Sequence, residues 1–194
     1  MHKLKIAILG STRGTSMQPI IEAIKNDDLN ASLDIVISDK SDAYILERAK
    51  NANIENIYIN PKNKTKKEFD AEIMKILDKK NIDLVLLIGY MRIISINFIN
   101  KWRNKILNVH PSLLPAFAGK MDLNVHEEVL KAGVKETGCT IHIIDEGIDT
   151  GPIIIQKSCP VTSKDTPETL KSKVQKLEGE AFIEVIKKKS YEQK

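Results

Sequence analysis

Asn108 and His110 stand two residues apart in the run Asn108-Val109-His110-Pro111-Ser112-Leu113-Leu114-Pro115. If Ile106 to His110 is a strand, alternation turns both side chains to one face at the strand's carboxyl end. An amide donor beside an imidazole suits acyl chemistry. Asn108 can stabilise an oxyanion, and His110 can donate a hydrogen bond or move a proton. The plainer alternative is a structural histidine satisfied by its neighbours. A second stretch, Asp145-Glu146-Gly147-Ile148-Asp149-Thr150-Gly151-Pro152, is an acidic turn that would ordinarily bond its own backbone. It could instead supply a carboxylate that orients a catalytic imidazole. His142 shares a strand face with Thr140 and reads as secondary support for the site, whereas His126, on a short helix, reads as solvated. His110, His142 and Asp149 lack any standard ligand spacing, so no metal is expected.

Two further loops carry unusual residues. Gly10-Ser11-Thr12-Arg13-Gly14-Thr15-Ser16 lacks the lysine of a P-loop and the three-glycine spacing of a dinucleotide fingerprint. It still joins a strand to a helix N-terminus, where free backbone N–H groups can meet a phosphate. The alternative is a plain βα turn. Gly89-Tyr90-Met91-Arg92-Ile93-Ile94 follows the most apolar segment and either clasps a flat heterocycle or belongs to the core.

The elements that position these loops alternate in the first half. Lys5–Leu9 is a short apolar run, followed by Met17, Ile20, Ile21 and Ile24 at helical spacing behind Ser16 as N-cap. Leu33–Ser38 reads as a strand, Ala43–Lys50 as a helix and Ile57–Ile59 as a short strand. Thr65 and Glu68 make a capping box for a helix running to Lys79. Leu84–Ile88 is unbroken and apolar, as a central parallel strand should be. A helix capped at Ser95 and carrying Phe98, Ile99 and Trp102 leads to the strand Ile106–His110. The second half holds a loop from Pro111 to Met121, a helix over Val125–Lys131 stopped by Gly133, and strands over Gly138–Ile144 and Ile153–Lys157. Thr166 caps a long final helix with Pro167 as its first residue. Its buried stripe is Leu170, Val174, Leu177, Ala181 and Val185. The order predicts a doubly wound α/β fold with a mostly parallel sheet, an antiparallel C-terminal portion, and one domain over 1–194.

Composition narrows the function. The 194 residues are 42% hydrophobic, enough for a core on both faces of a sheet, and no run approaches a membrane span. The first strand starts a few residues after Met1, leaving no room for a secretory signal. Cys139 and Cys159 stand alone, so reduced thiols and a cytoplasmic location are expected. A net charge of +4 with 5% aromatics argues against nucleic acid and suits small anionic ligands.

Taken in order along one chain, these loops make the sequence similar to the glycinamide ribonucleotide formyltransferase family over nearly its whole length. The matching stretches are the first loop with Gln18, Gly89 to Ile93, Asn108 to Pro115, and His142 to Pro152. The resemblance implies a formyltransferase-like fold and a catalytic Asn108, His110 and Asp149. In that reading the amine of glycinamide ribonucleotide attacks the formyl group of 10-formyltetrahydrofolate, a cosubstrate, in purine biosynthesis. It implies folate contacts from Lys66, Met91, Arg92, Ile93, Ile94, Asn108, Asp145, Glu146, Gly147, Ile148 and Asp149. The ribonucleotide would meet Thr12, Arg13, Gly14, Thr15, Ser16, Gln175 and Glu178. Partners are these small molecules, with no membrane or nucleic acid, and a homodimer is admissible. The first loop keeps only one glycine of the family's Gly-x-Gly-Ser-Asn, and the stretch from Gly119 to His126 is long for the family.

Methionyl-tRNA formyltransferases resemble the Asn-x-His-Pro-Ser run but need a further C-terminal domain, and this chain ends soon after its last helix. A formyltetrahydrofolate deformylase would use the same three residues for hydrolysis, and usually carries a regulatory domain before the catalytic one. A binding module without turnover would need no convergent Asn, His and Asp. A dehydrogenase would need the glycine fingerprint.

Overall fold

In β1 (Leu4–Leu9), Ile6 and Ile8 bury on one side of a sheet while Ala7 and Leu9 bury on the other. A strand covered on both faces must lie inside a layered α/β structure. The computed structural model describes residues 3–120 and 123–192. The chain continues through α1 (Met17–Lys25), β2 (Ala31–Ser38), α2 (Tyr44–Asn51), β3 (Asn56–Tyr58), α3 (Lys66–Lys79) and β4 (Leu84–Leu87). It then runs through α4 (Ile96–Lys101), β5 (Ile106–His110), α5 (Leu123–Lys131), β6 (Glu136–Ile143), β7 (Ile153–Pro160) and α6 (Pro167–Glu192). The strands order as β3-β2-β1-β4-β5-β6-β7. Pairs from β3 to β5 are parallel, and β5-β6 and β6-β7 are antiparallel. This is the expected doubly wound sheet with an antiparallel C-terminal edge.

One core lies under α1, α2 and α6, where Met17, Ile20, Ile45, Val174 and Phe182 pack on Ile6, Ile8, Leu86 and Ile141. The other lies under α3 and α4, where Phe69, Ile73, Leu77 and Phe98 pack on Leu9, Ile35, Val85 and Ile106. Phe182 is fully buried and contributes roughly 1.5–3 kcal/mol by the usual scale for such side chains. Its place on the buried side of α6 goes beyond the stripe read from the sequence. Among the described residues no helix is long and apolar enough to cross a membrane.

The capping box of α3 forms as expected, with Glu68 N donating to Thr65 Oγ1 at 3.2 Å and Thr65 N to Glu68 Oε2 at 2.8 Å. Ser16 departs from expectation. It occupies the N-cap position of α1 but is already helical (φ −71°, ψ −9°) and makes no cap bond, because its hydroxyl donates to Glu178 instead. Several strands start or end beyond the apolar run. Glu136 and Thr137 of β6 pair with Pro160 and Cys159, so backbone pairing extends both strands past the residues with a hydrophobic signal. The long loop after β5 was expected to reach Met121, and positions 121 and 122 lie outside the described residues.

β1 and β4 are neighbours, although β2 departs from β1 in one direction and β5 from β4 in the other. At such a reversal the loops leaving the two carboxyl ends diverge and open a crevice, the usual ligand position in open α/β sheets.

Candidate active site

A cleft of about 270 Å³ opens at that reversal, walled by the loops after β1, β4 and β5, the turn after β6, and one side of α6. Thr12 to Ser16 all line it. Gly14 holds φ +62°, and a Cβ there would meet Ile45 Cγ1 at 2.3 Å, so glycine lets α2 close against the loop. Met17 N and Gln18 N already donate to the carbonyls of Gly14 and Thr15. Any anion must therefore use earlier N–H groups of the loop. The Arg13 and Arg48 guanidinium groups both lie against the Tyr44 ring, at 5.6 and 5.1 Å from its centroid, and Arg48 Nε donates to the Arg13 carbonyl at 2.8 Å. This gives the cleft mouth a cationic edge.

The first loop is tied to the loop after β4. Ser11 N donates to Gly89 O at 3.0 Å, Met91 N donates to Ser11 Oγ at 2.9 Å, and Ser11 Oγ donates to Asp39 Oδ1 at 2.6 Å. Gly89, at φ +59°, would place a Cβ 2.2 Å from Thr12 Oγ1.

β5 delivers Asn108 and His110 to the cleft wall, and the turn after β6 delivers Asp149. His110 Nδ1 lies 3.1 Å from Asp149 Oδ2, and its Nε2 lies 3.1 Å from Phe117 O. Both ring nitrogens face acceptors, an arrangement that only the imidazolium satisfies in full. Gly119 N donates to the same carboxylate oxygen at 2.9 Å. Burial pushes the Asp149 carboxyl up, but the His110 contact, the nearby His142 ring and the Gly119 N–H together outweigh it and hold Asp149 well below the usual carboxylate range. Asp149 adopts φ +56°, an uncommon backbone for a non-glycine residue. His142 is buried behind this pair, with Nε2 at 3.1 Å from Asn108 Nδ2 and 3.5 Å from Asp149 Oδ1.

α6 contributes Lys171, Gln175 and Glu178 to the opposite wall. Glu178 is only 8% exposed, and burial pushes its carboxyl up to about 7 against the opposing pull of Ser16, Lys171 and His110. A carboxyl near neutrality can serve as donor or acceptor to a hydroxyl-bearing ligand.

The structure thus brings together Thr12, Arg13, Gly14, Thr15, Ser16, Met91, Asn108, His110, Ile148, Asp149, Gln175 and Glu178. Other sequence-predicted residues stand off this wall. Lys66 is exposed at the start of α3. Arg92 turns away to lie 4.4 Å over the Phe69 ring, Ile93 is exposed, and Ile94 is buried in the core under α3 and α4. Asp145, Glu146 and Gly147 border a separate hollow with Ile99, Arg103 and Pro152. His126 was expected in solvent, but it is 2% exposed and lines the cleft. Packing of its neighbours Val125 and Val129 on Leu170 rolls that face of α5 inward. Lys120, His126 and Lys171 were missed as wall residues, since a lone Lys or His on a helix or loop carries no local signal. Among the described residues, no group of three His, Cys, Asp or Glu side chains is placed to hold a metal ion.

The family described as formyl transferase matches residues 4–186 of the chain. The human trifunctional purine biosynthetic protein adenosine-3 is 42% identical over 181 residues, which is 93% of this chain and 18% of that protein. The chain therefore spans about a fifth of the length of such relatives. The phosphoribosylglycinamide formyltransferase of Bacillus subtilis is 37% identical over 94% of this chain and 93% of its own length. Among solved structures, glycinamide ribonucleotide transformylase 1 from Geobacillus kaustophilus superposes with a TM-score of 0.91 at 36% identity, covering 97% of this chain and all of that one. A formyltetrahydrofolate deformylase from Pseudomonas syringae shares the fold, with a TM-score of 0.83 at 24% identity over 92% of this chain and 58% of that one.

Proposed function

Because this chain belongs to the formyl transferase family, we propose that it transfers the formyl group of 10-formyltetrahydrofolate to the amine of glycinamide ribonucleotide. The observation that carries this reading is the His110–Asp149 pair, 3.1 Å apart, beside Asn108 in one cleft. The acceptor's amine adds to the formyl carbon, and the carbonyl oxygen gains negative charge. Asn108 donates an amide N–H to that oxygen. His110, held by Asp149, donates from Nε2 once the formyl oxygen displaces the Phe117 carbonyl. Collapse of the tetrahedral adduct expels the folate nitrogen, which takes up a proton as the attacking amine loses one. No step calls for a metal.

The rest of the cleft favours an amine acceptor over water. Its first loop and the Arg13 guanidinium offer an anionic group N–H donors and positive charge. Gln175 and Glu178 face the same space and can bond ribose hydroxyls. Hydrolysis to formate needs neither wall. Folate would lie toward Met91, Asn108 and the turn through Ile148 and Asp149.

The acceptor is decided by product analysis. Formyl-folate alone should be consumed slowly, and rapidly only after glycinamide ribonucleotide is added, with formylated ribonucleotide and tetrahydrofolate in equal yield. Free formate released at a rate indifferent to the ribonucleotide would make the chain a deformylase.

A further inference from the structure

His142 is 1% exposed and does not line the cleft, yet it touches two residues that do. It sits directly across from Asn108 in the antiparallel β5-β6 pair, so the two side chains share a face of the sheet. The β6-β7 register shifts between Ile141 and His142, an irregularity of the kind that re-aims a side chain.

The ring's partners fix its tautomer. Nδ1 lies 3.1 Å from the Ile143 carbonyl, which can only accept, so Nδ1 carries a proton. Nε2 has two neighbours of opposite demand, Asn108 Nδ2 at 3.1 Å, which can only donate, and Asp149 Oδ1 at 3.5 Å, which can only accept; the nearer contact is the hydrogen bond, so Nε2 presents its lone pair to Asn108. A proton on Nε2 would set two donors against each other and turn the Asn108 amide over, presenting its oxygen to His142. We infer that His142 is a positioning residue for Asn108: it accepts one N–H of the amide and thereby holds the other N–H of that nitrogen toward the cleft. This rests on the proposed role of Asn108 as a donor to the developing oxyanion. A freely turning amide would spend part of its time with an acceptor facing that oxygen, where it would repel rather than stabilise.

His142→Leu removes the acceptor, and His142→Gln restores one at similar reach. The leucine variant should lower kcat roughly tenfold, the scale of one hydrogen bond, with little change in KM for either substrate. The glutamine variant should recover most of the loss. In an Asn108→Ala background, His142→Leu should cost less than about twofold, because the residue it positions is gone. Equal losses in both backgrounds, or a change confined to KM, would overturn the inference. A nitrogen-15 spectrum of the unmodified protein tests the pairing without requiring any variant to fold. It should show the neutral His142 ring protonated on Nδ1, and a neutral ring protonated on Nε2 would overturn the inference. That spectrum needs no turnover, so a chain that transfers no formyl group would refute the functional reading while leaving the pairing intact.

Discussion

Glu178→Gln should flatten the dependence of stability on pH across the neutral range. Glutamine keeps the shape of the side chain and an oxygen for the Ser16 hydroxyl to bond, but cannot ionise. In the folded protein burial pushes the Glu178 carboxyl from 4.5 up to about 7. Between those values the folded carboxyl keeps a proton that the unfolded one has released. The unfolded state then binds fewer protons, so stability falls as pH rises from 4.5 and levels off above 7. At ~1.36 kcal/mol per unit, the interval from 4.5 to about 7 corresponds to about 3 kcal/mol. The group is nearly inaccessible, so solvent screening takes little from that figure. Urea unfolding of both proteins at intervals from pH 4 to 8 reads the effect, and taking their difference cancels the titration of every other group. The wild type should lose about 3 kcal/mol relative to the variant across that range. A constant difference would mean that Glu178 is ionised in the folded state throughout its usual range. A wild type that gains on the variant with rising pH would reverse the sign and refute the argument from burial.

Asn108→Ala should fold normally and lower turnover by roughly 10²–10³, the usual loss for one oxyanion donor, with folate affinity much less affected; steady-state kinetics with equilibrium titration separates the two. Exhaustive chelation should leave the rate unchanged, and an enzyme silenced by chelator and revived by one divalent ion would restore the metal reading of His110, His142 and Asp149. Gly138→Ala should destabilise the protein by about 1–3 kcal/mol, as overpacking usually does. A Cβ there would lie 1.9 Å from the Lys157 carbonyl in β7, and thermal unfolding measures the cost.

The alternation of elements, both apolar faces of the sheet and the capping box of α3 were legible in the sequence because each rests on short-range periodicity or spacing. Of the three-residue constellation, Asn108 and His110 were legible together because they share one strand, whereas the acidic turn offers Asp145, Glu146 and Asp149 alike and only the family resemblance pointed to Asp149. Long-range choices were not. Ser16 looks like a helix cap and becomes a partner of Glu178, 162 positions away, because α6 returns across α1. His126 looks solvated on a local helical wheel, and only the docking of α5 on α6 decides otherwise. Arg92 and Ile94 sit in a loop of mixed character, where the competition between the Phe69 ring, the core and the cleft is settled by tertiary packing.

The tie between the loops after β1 and β4 constrains how such a protein can be altered. Ser11 holds the backbone of Gly89 through its N–H and that of Met91 through its hydroxyl, and the Thr12 side chain fills the space that a Cβ at Gly89 would need. A designer who grafts a new first loop, to accept a bulkier acceptor for example, inherits the second loop's shape as a boundary condition. Any side chain at position 89 larger than glycine's meets Thr12, and loss of the Ser11 hydroxyl frees Met91 N and Asp39 together. The two segments, 78 positions apart at Ser11 and Gly89, therefore form one unit, and a graft that carries both keeps these bonds where a graft of either alone must rebuild them.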